Sequence, residues 1–439
     1  MIRCLCIFVF FYAPCLALAQ EASELSPRVA REATYARTIS EIRFAGNKTT
    51  RPEIFLQEMQ VKVGDPVDAA LIEQSRQAIM DLGLFKSVRT YLSEEGDRTI
   101  LLISVKEKYY ILPIPKLNRD ADNKFTLGAQ LRLDNLAGLN QRLRLTYEAE
   151  KVDSADSNST TSRLEYSYPR LRGSPYGLDI NAARTRTPTE STDAGTGTLV
   201  SYLTETSNAG VNLNRWLRKD FPGIGWRAGS GLVWQQQVQR VSAGMPQNLP
   251  EGRGVAFTAL VEYTHVHDYL YSRGGTVYGY SGVFGAPWLG SDSDYTQHQL
   301  YFRGYYPVFS WPHSTLDVQF KLGLASNTLY GANAYGLGGA NTLRGYKNGS
   351  VAGNAFVLAN MEYLTPFYNY YPIRGGVFID VGNAYPHNDD LDFSGLKTSI
   401  GLGLRLKLKS FVKIDLRIDY AYAVDTGDTK IYAGTKEAF

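Results

Sequence analysis

From Phe125 onward, hydrophobicity alternates with a period of two in segment after segment, and this limits the possible folds more than any other feature of the chain. "TLGAQLRL" sets Leu127, Ala129, Leu131 and Leu133 against Gly128, Gln130, Arg132 and Asp134. "RLRLTYEA" sets Leu143, Leu145, Tyr147 and Ala149 against Arg142, Arg144, Thr146 and Glu148. The pattern returns in "TLDVQFKLGL", in "SIGLGLRLKLK" with Arg405, Lys407 and Lys409 on the polar side, and in "VKIDLRIDYAY" with Lys413, Asp415, Arg417 and Asp419 there. Successive side chains of a strand point to opposite faces, so each segment has one apolar and one charged face. A soluble sandwich alternates too, but its apolar faces must all supply one shared core. Charged faces that recur with few helical interruptions suit a wall with lipid outside and a polar lumen inside. Residues 109–439 therefore read as a transmembrane antiparallel β-barrel, and at about ten residues per strand plus turns they accommodate an even count near sixteen. "KVDSADSNSTTS" and "TRTPTESTDAGTGT" read as surface loops.

Composition agrees. The 30 Tyr and 41 Gly residues fit the aromatic girdles and tight corners of such barrels. A net charge of +3 with no Lys/Arg stripe argues against nucleic acid as a partner. The opening "MIRCLCIFVFFYAPCLALAQ" has one early cation, an apolar run and Ala17-Leu18-Ala19, which is the pattern of a secretory signal peptide over residues 1–19. The run is short for a membrane anchor. All three cysteines, Cys4, Cys6 and Cys15, lie within it, so the rest of the chain has no disulfide, thiol nucleophile or Cys-based metal site.

Residues 20–38 form a short N-terminal segment with a weak helical look. Residues 39–108 then read strand, helix, helix, strand, strand. "ISEIRFAG" alternates, and Thr49 or Thr50 is the expected N-cap of a helix with Pro52 in its first turn. Asp68 caps a second helix whose Ile72, Ser75, Ile79 and Leu82 share a face and which Gly83 ends. "FKSVRTYLSE" and "RTILLISVKEK" form a hairpin around Glu95-Gly96-Asp97. The whole segment resembles a POTRA domain, the periplasmic module of outer-membrane assembly barrels. The resemblance rests on Ile42-x-Phe44-x-Gly46-Asn47, Gly64-Asp65-Pro66, Leu82-Gly83-Leu84-Phe85-Lys86-x-Val88 and Val105-Lys106-Glu107-Lys108. Such a sheet has an edge to which an extended client chain can add as a strand.

Motifs for catalysis are scarce. There is no Gly-x-Ser-x-Gly, no phosphate-binding Gly-x-x-x-x-Gly-Lys and no His-Glu-x-x-His. "GIGWRA" matches a dinucleotide fingerprint only loosely and lacks the βαβ context. In "HVHD", His265 and His267 lie two apart on a strand and so share a face, but no third metal ligand is evident. The other reading makes them polar positions leading into the Ser272-Arg273-Gly274-Gly275 turn. No enzyme activity, metal or cofactor is expected.

One loop stands out. "GGANTLRGYKNGS" places Arg344 among glycines and small polar residues. The next two strands are "GNAFVLANMEYLTPF", with Glu362 as its sole carboxylate, and "RGGVFIDVGNAYP". If Val377, Ile379 and Val381 face lipid, Phe378 and Asp380 face the lumen, where a guanidinium needs carboxylate or aromatic partners. Arg344-Gly345-Tyr346 followed by Phe378-Ile379-Asp380-Val381-Gly382 resembles the signature of the outer-membrane-protein assembly superfamily, the BamA/TamA-like bacterial surface antigen family. The resemblance implies an extracellular loop folded back into the barrel, with Arg344 seated on Asp380, Phe378 and Gly382 and beside Glu362. It also implies a weak seam between the first and last strands, here around Phe125–Asn135 and Lys430–Phe439, the chain ending in phenylalanine. The implied function is insertion, assembly or translocation of outer-membrane proteins, with the POTRA domain in the periplasm. Its partners would be an unfolded outer-membrane or secreted client and outer-membrane lipid, with periplasmic chaperones left open. The relatives carry several POTRA domains and this chain has room for one, so their complex partners are not carried over. A passive or lipid-handling channel of the same fold is the alternative.

Overall fold

The computed structural model describes residues 37–434 apart from 120–124, 152–157, 193–198, 218–222, 245–250, 309–310, 328, 330–332, 369 and 412–414. The expected signal peptide, nearly all of residues 20–38 and Phe439 lie outside the described residues.

The small unit comprises β1 (Ile39–Ala45), α1 (Pro52–Glu58), α2 (Ala69–Asp81), β2 (Phe85–Glu95) and β3 (Arg98–Glu107). Its sheet runs β1-β3-β2, with β1 parallel and β2 antiparallel to the central β3, so β1 and β2 are both edges. The helices close over one face, and Phe55, Ile79, Leu84, Phe85 and Leu101 are fully buried between the layers. Burying each such side chain contributes about 1.5–3 kcal/mol. Asp68 caps α2 as expected, accepting from the N–H groups of Ala70 and Leu71, and Gly83 follows the helix with φ +73°. The start of α1 differs from expectation. Its N-cap is Arg51 and carries no side-chain cap. The N–H groups of Thr49 and Thr50 donate instead to the Glu107 carboxylate at 3.1 and 2.8 Å, and Thr50 Oγ1 accepts from Asn135 Nδ2 at 2.9 Å. Tertiary partners claim both threonines before the helix can.

Sixteen antiparallel strands close into a barrel, from Ile111–Arg119 to Thr429–Gly434. Alternation sorts the faces: Val377, Leu402 and Ile418 are 53%, 61% and 52% exposed on the outside, whereas Asp380 and Asp419 are fully buried inside. No helix among the described residues is long and apolar enough to cross a membrane.

Two strand assignments need correction. The first barrel strand is Ile111–Arg119, not the segment from Phe125. "ILPIPKLNR" conceals it, because Pro113 and Pro115 break the strand pattern. Prolines two apart place their missing donors on one edge of the strand. The stretches read as loops are partly strand as well, since strands resume at Asn158 and run on through Thr192. There cross-strand backbone pairing and contacts such as Thr161 Oγ1 to Thr185 Oγ1 at 3.2 Å hold the ladder without apolar alternation.

Tyr176–Thr192 and Leu199–Trp216 share 17 register pairs, and the barrel closes where Ala433 pairs with Arg119.

The small unit docks across one mouth of the barrel. Glu58, ending α1, meets Arg170 in a barrel turn at 2.9 Å, and Arg51 donates to the carbonyls of Ala137 and Gly138. Asp81, ending α2, meets His267 Nδ1 at 2.8 Å and accepts from the Asp268 N–H at 2.8 Å.

Candidate functional site

Between the strands Thr315–Ser326 and Ala355–Phe367 the chain turns inward. A short hairpin, Tyr335–Leu337 with Val351–Gly353, forms its base and presents residues 338–350 to the lumen. Leu343, Tyr346 and Leu358 bury the tip in an apolar cluster. Gly338 has φ +114°, and a Cβ there would lie 1.9 Å from the Lys347 carbonyl oxygen, so only glycine permits this reversal.

Arg344 is 2% exposed at the tip. Its Nε and Nη2 donate to the two oxygens of Asp380, each at 2.7 Å, in the fork-on-fork geometry that favours arginine over lysine. The backbone N–H of Arg344 also donates to Asp380, at 3.1 Å. Nη1 reaches Glu362 at 3.2 Å and lies 3.7 Å from Asp419. The guanidinium carbon sits 3.3 Å from the centre of the Phe378 ring. Alternation puts Phe378 and Asp380 on one face, and the register opposes Asp380 to Asn360 and Phe378 to Glu362 on the neighbouring strand.

The arrangement brings together four of the residues singled out in the sequence: Arg344, Asp380, Glu362 and Phe378. Gly345 and Tyr346 serve the loop from either side of its backbone. The Gly345 N–H donates to the Tyr432 hydroxyl at 3.0 Å, and the Tyr346 hydroxyl donates to Asp425 at 2.9 Å. Gly382 does not join them. It opposes Leu358, where a Cβ would meet the Val357 carbonyl oxygen at 2.6 Å, so its place is in close strand packing.

Other members were not singled out in the sequence. Arg405 bridges Glu362 at 2.5 Å and Asp419 at 2.6 Å, and Arg417 donates to the Ala340 carbonyl at 2.8 Å. Asn360 donates to Asp380 at 2.8 Å and to the Thr342 carbonyl at 2.6 Å. Alternation marked Arg405, Arg417 and Asp419 as inward, but nothing local linked them to a loop some sixty residues earlier. Together Arg344, Arg405 and Arg417 balance Asp380, Glu362 and Asp419, which lets six ionic side chains stay buried.

His265 and His267 stack edge to face at 5.2 Å, and His267 is engaged by Asp81 of the small unit. No group of three metal-ligating side chains occurs among the described residues.

A sixteen-stranded barrel with a strand-helix-helix-strand-strand domain across its mouth and an arginine loop locked to its inner wall defines a β-barrel of the outer-membrane type. The chain belongs to the Omp85 superfamily: residues 135–436 match the Omp85 superfamily domain, and residues 37–108 match the POTRA family described as surface antigen variable number repeat. Over 85 residues it is 36% identical to the outer membrane protein assembly factor BamA of Nitratidesulfovibrio vulgaris, covering 19% of this chain and 11% of that protein. It is 22% identical over 424 residues to the chloroplastic outer envelope protein 80 of Oryza sativa subsp. japonica, covering 87% of this chain and 60% of the relative. The chain thus spans less than two thirds of the length of these relatives. Among solved structures, CdiB from Escherichia coli is similar in fold with a TM-score of 0.66 at 13% identity, covering 91% of this chain and 76% of that one. BamA from Haemophilus ducreyi lacking POTRA domains 1–3 is similar with a TM-score of 0.54 at 18% identity, covering 91% and 84%.

Proposed function

We propose that this protein inserts, assembles or translocates outer-membrane proteins by opening its barrel seam, acting without catalysis or a cofactor. The observation that carries the reading is a link from the inner loop to the closing strand: the Gly345 N–H donates to the Tyr432 hydroxyl at 3.0 Å, beside Ala433, which pairs with Arg119 where the barrel closes. Strand edges exposed when a barrel seam opens can template an incoming strand. In this reading the POTRA domain lies in the periplasm and receives the unfolded client on an edge strand; the half-exposed Tyr91 and Leu92 of β2 support that role. The Arg344 loop acts as a brace. Its tip bonds Tyr432, next to the seam residue Ala433, so the seat on Asp380 and the closing strand are mechanically linked. The relative named as an outer-membrane assembly factor supports the choice of client class.

The test is a seam lock. Directly opposed residues of an antiparallel pair have Cα atoms about 4.5–5.5 Å apart, within disulfide range. Arg119→Cys with Ala433→Cys, in a chain whose own cysteines all lie before residue 16, should crosslink on oxidation. Locked cells should lose assembled barrels from the outer membrane and regain them on reduction. An unchanged outer-membrane proteome, with altered permeability or lipid asymmetry instead, would defeat the proposal in favour of a passive or lipid-handling channel.

A further inference from the structure

Beneath the Arg344 seat, between the inner wall and the docked small domain, lies a chamber of about 820 Å³. Its charge is unbalanced. Nine of its lining residues are Lys or Arg and four are Asp or Glu, a surplus of five positive charges. Glu58 pairs with Arg170, itself part of the lining, while Asp81 meets His267 and Asp268 meets Lys407; of the cations, Lys116 and Arg132 are matched to Glu148 and Asp134. By contrast, Arg142, Arg144, Arg163, Arg303 and Lys321 make no hydrogen bond or ion pair among the described residues, and Arg142 Nε and Arg303 Nε are buried without a partner.

The register places acids as well as cations beside these arginines. Arg144 stands opposite Arg132 on one neighbouring strand and opposite Glu165 on the other, and Arg142 stands opposite Asp134. Elsewhere in the same lumen, cations are matched to acids: Arg184 and Arg186 to Glu205, Arg227 to Glu262, and Arg344 to Asp380. Arg163, Arg303 and Lys321 have no such carboxylate partner among the described residues, which leaves the chamber with more cations than acids.

We propose that this chamber binds a small phosphate-bearing anion, held from one wall by Arg142, Arg144 and Arg163 and from the other by Arg303 and Lys321. Guanidinium forks match the oxygens of phosphate, and a multiply charged group offsets the surplus with few atoms. The volume lies in the range of about 300–1,000 Å³ typical of small-ligand sites. The phosphate can belong to a lipid headgroup or to a free solute; the chemistry of capture is the same.

Calorimetric titration of the full-length protein in neutral detergent with pyrophosphate tests this. Saturable binding that weakens as salt rises is expected. Arg142→Gln with Arg144→Gln should weaken it about tenfold or more. Arg303→Gln with Lys321→Gln, on the opposite wall, should do the same and serves if the first pair fails to fold. Monomeric dihexanoyl phosphatidic acid binding more tightly than glycerol phosphate would assign the site to a lipid headgroup, and equal binding would assign it to a free solute. Absence of pyrophosphate binding to the folded wild type, undiminished binding in a folded variant, or tighter binding of hexaglutamate than of pyrophosphate would each overturn the proposal.

Discussion

Arg344 shows how much one side chain can organise. Removing it leaves three buried carboxylates facing only Arg405 and Arg417, and breaking a buried ionic cluster in this way costs about 3–5 kcal/mol. Arg344→Ala should therefore lower the thermal midpoint and open residues 338–350 to protease, read by limited proteolysis with mass spectrometry. Arg344→Lys should fall between, because an ammonium keeps the charge but cannot bond both Asp380 oxygens in parallel or lie flat on Phe378. Asp380→Asn should resemble Arg344→Ala; wild-type behaviour of both would show that the seat does not hold the loop. At this scale much was legible. A lone arginine in a glycine loop, with Asp380 and Phe378 in phase on a nearby strand, pointed to the pairing. Asp419 and Arg405 were legible only as inward-facing, because the contact depends on strands meeting in space.

The contact of α1 with the barrel makes a prediction about pH. Burial raises the Glu58 carboxyl to about 7, outweighing the Arg170 guanidinium that pulls it down. The docked carboxyl thus binds its proton more tightly than the undocked one. Linkage makes docking firmest in acid, with the stabilisation lost progressively as pH rises from the ordinary glutamate range through about 7. Glu58→Gln should flatten this dependence while preserving the contact, measured as amide hydrogen exchange of α1 at about pH 5 and pH 8 after correction for intrinsic rates. A pH profile equal in variant and wild type would exclude Glu58 as its source. The ends of the elements were the less legible part. Asp68 announced its helix because its cap is local, whereas Thr49 and Thr50 were drawn away by Glu107 and Asn135. The first barrel strand was hidden by two prolines, which break the pattern a strand is read from.

For the molecule as a whole, docking of the small domain decides what the lumen is. Its helices close the mouth through Glu58, Asp81 and Arg51, and the chamber exists only while they remain there. His267→Ala with Asp81→Asn should loosen the domain without unfolding the barrel. Electron–electron resonance distances between spin labels on β2 and on the strand Gly252–Tyr269 should broaden, while the slower migration of the barrel on heating in detergent stays as in wild type. Unbroadened distances would place the docking energy elsewhere. "HVHD" thus changes meaning with scale, from a candidate metal pair in the sequence to one half of an interdomain latch.

The sequence by itself determined the period-two wall, the even strand number near sixteen, the small α+β domain and the residues that face the lumen. Each of these follows from alternation, capping and turn chemistry, which act over a few residues. Only the tertiary structure decided that the seam joins Ile111–Arg119 to Thr429–Gly434, that Arg405 and Asp419 complete the Arg344 seat, and that unpaired arginines from separate strands converge on one chamber. The physical reason is register. Which strands become neighbours, and at what stagger, depends on closing the whole barrel, and no local stretch of sequence encodes that closure.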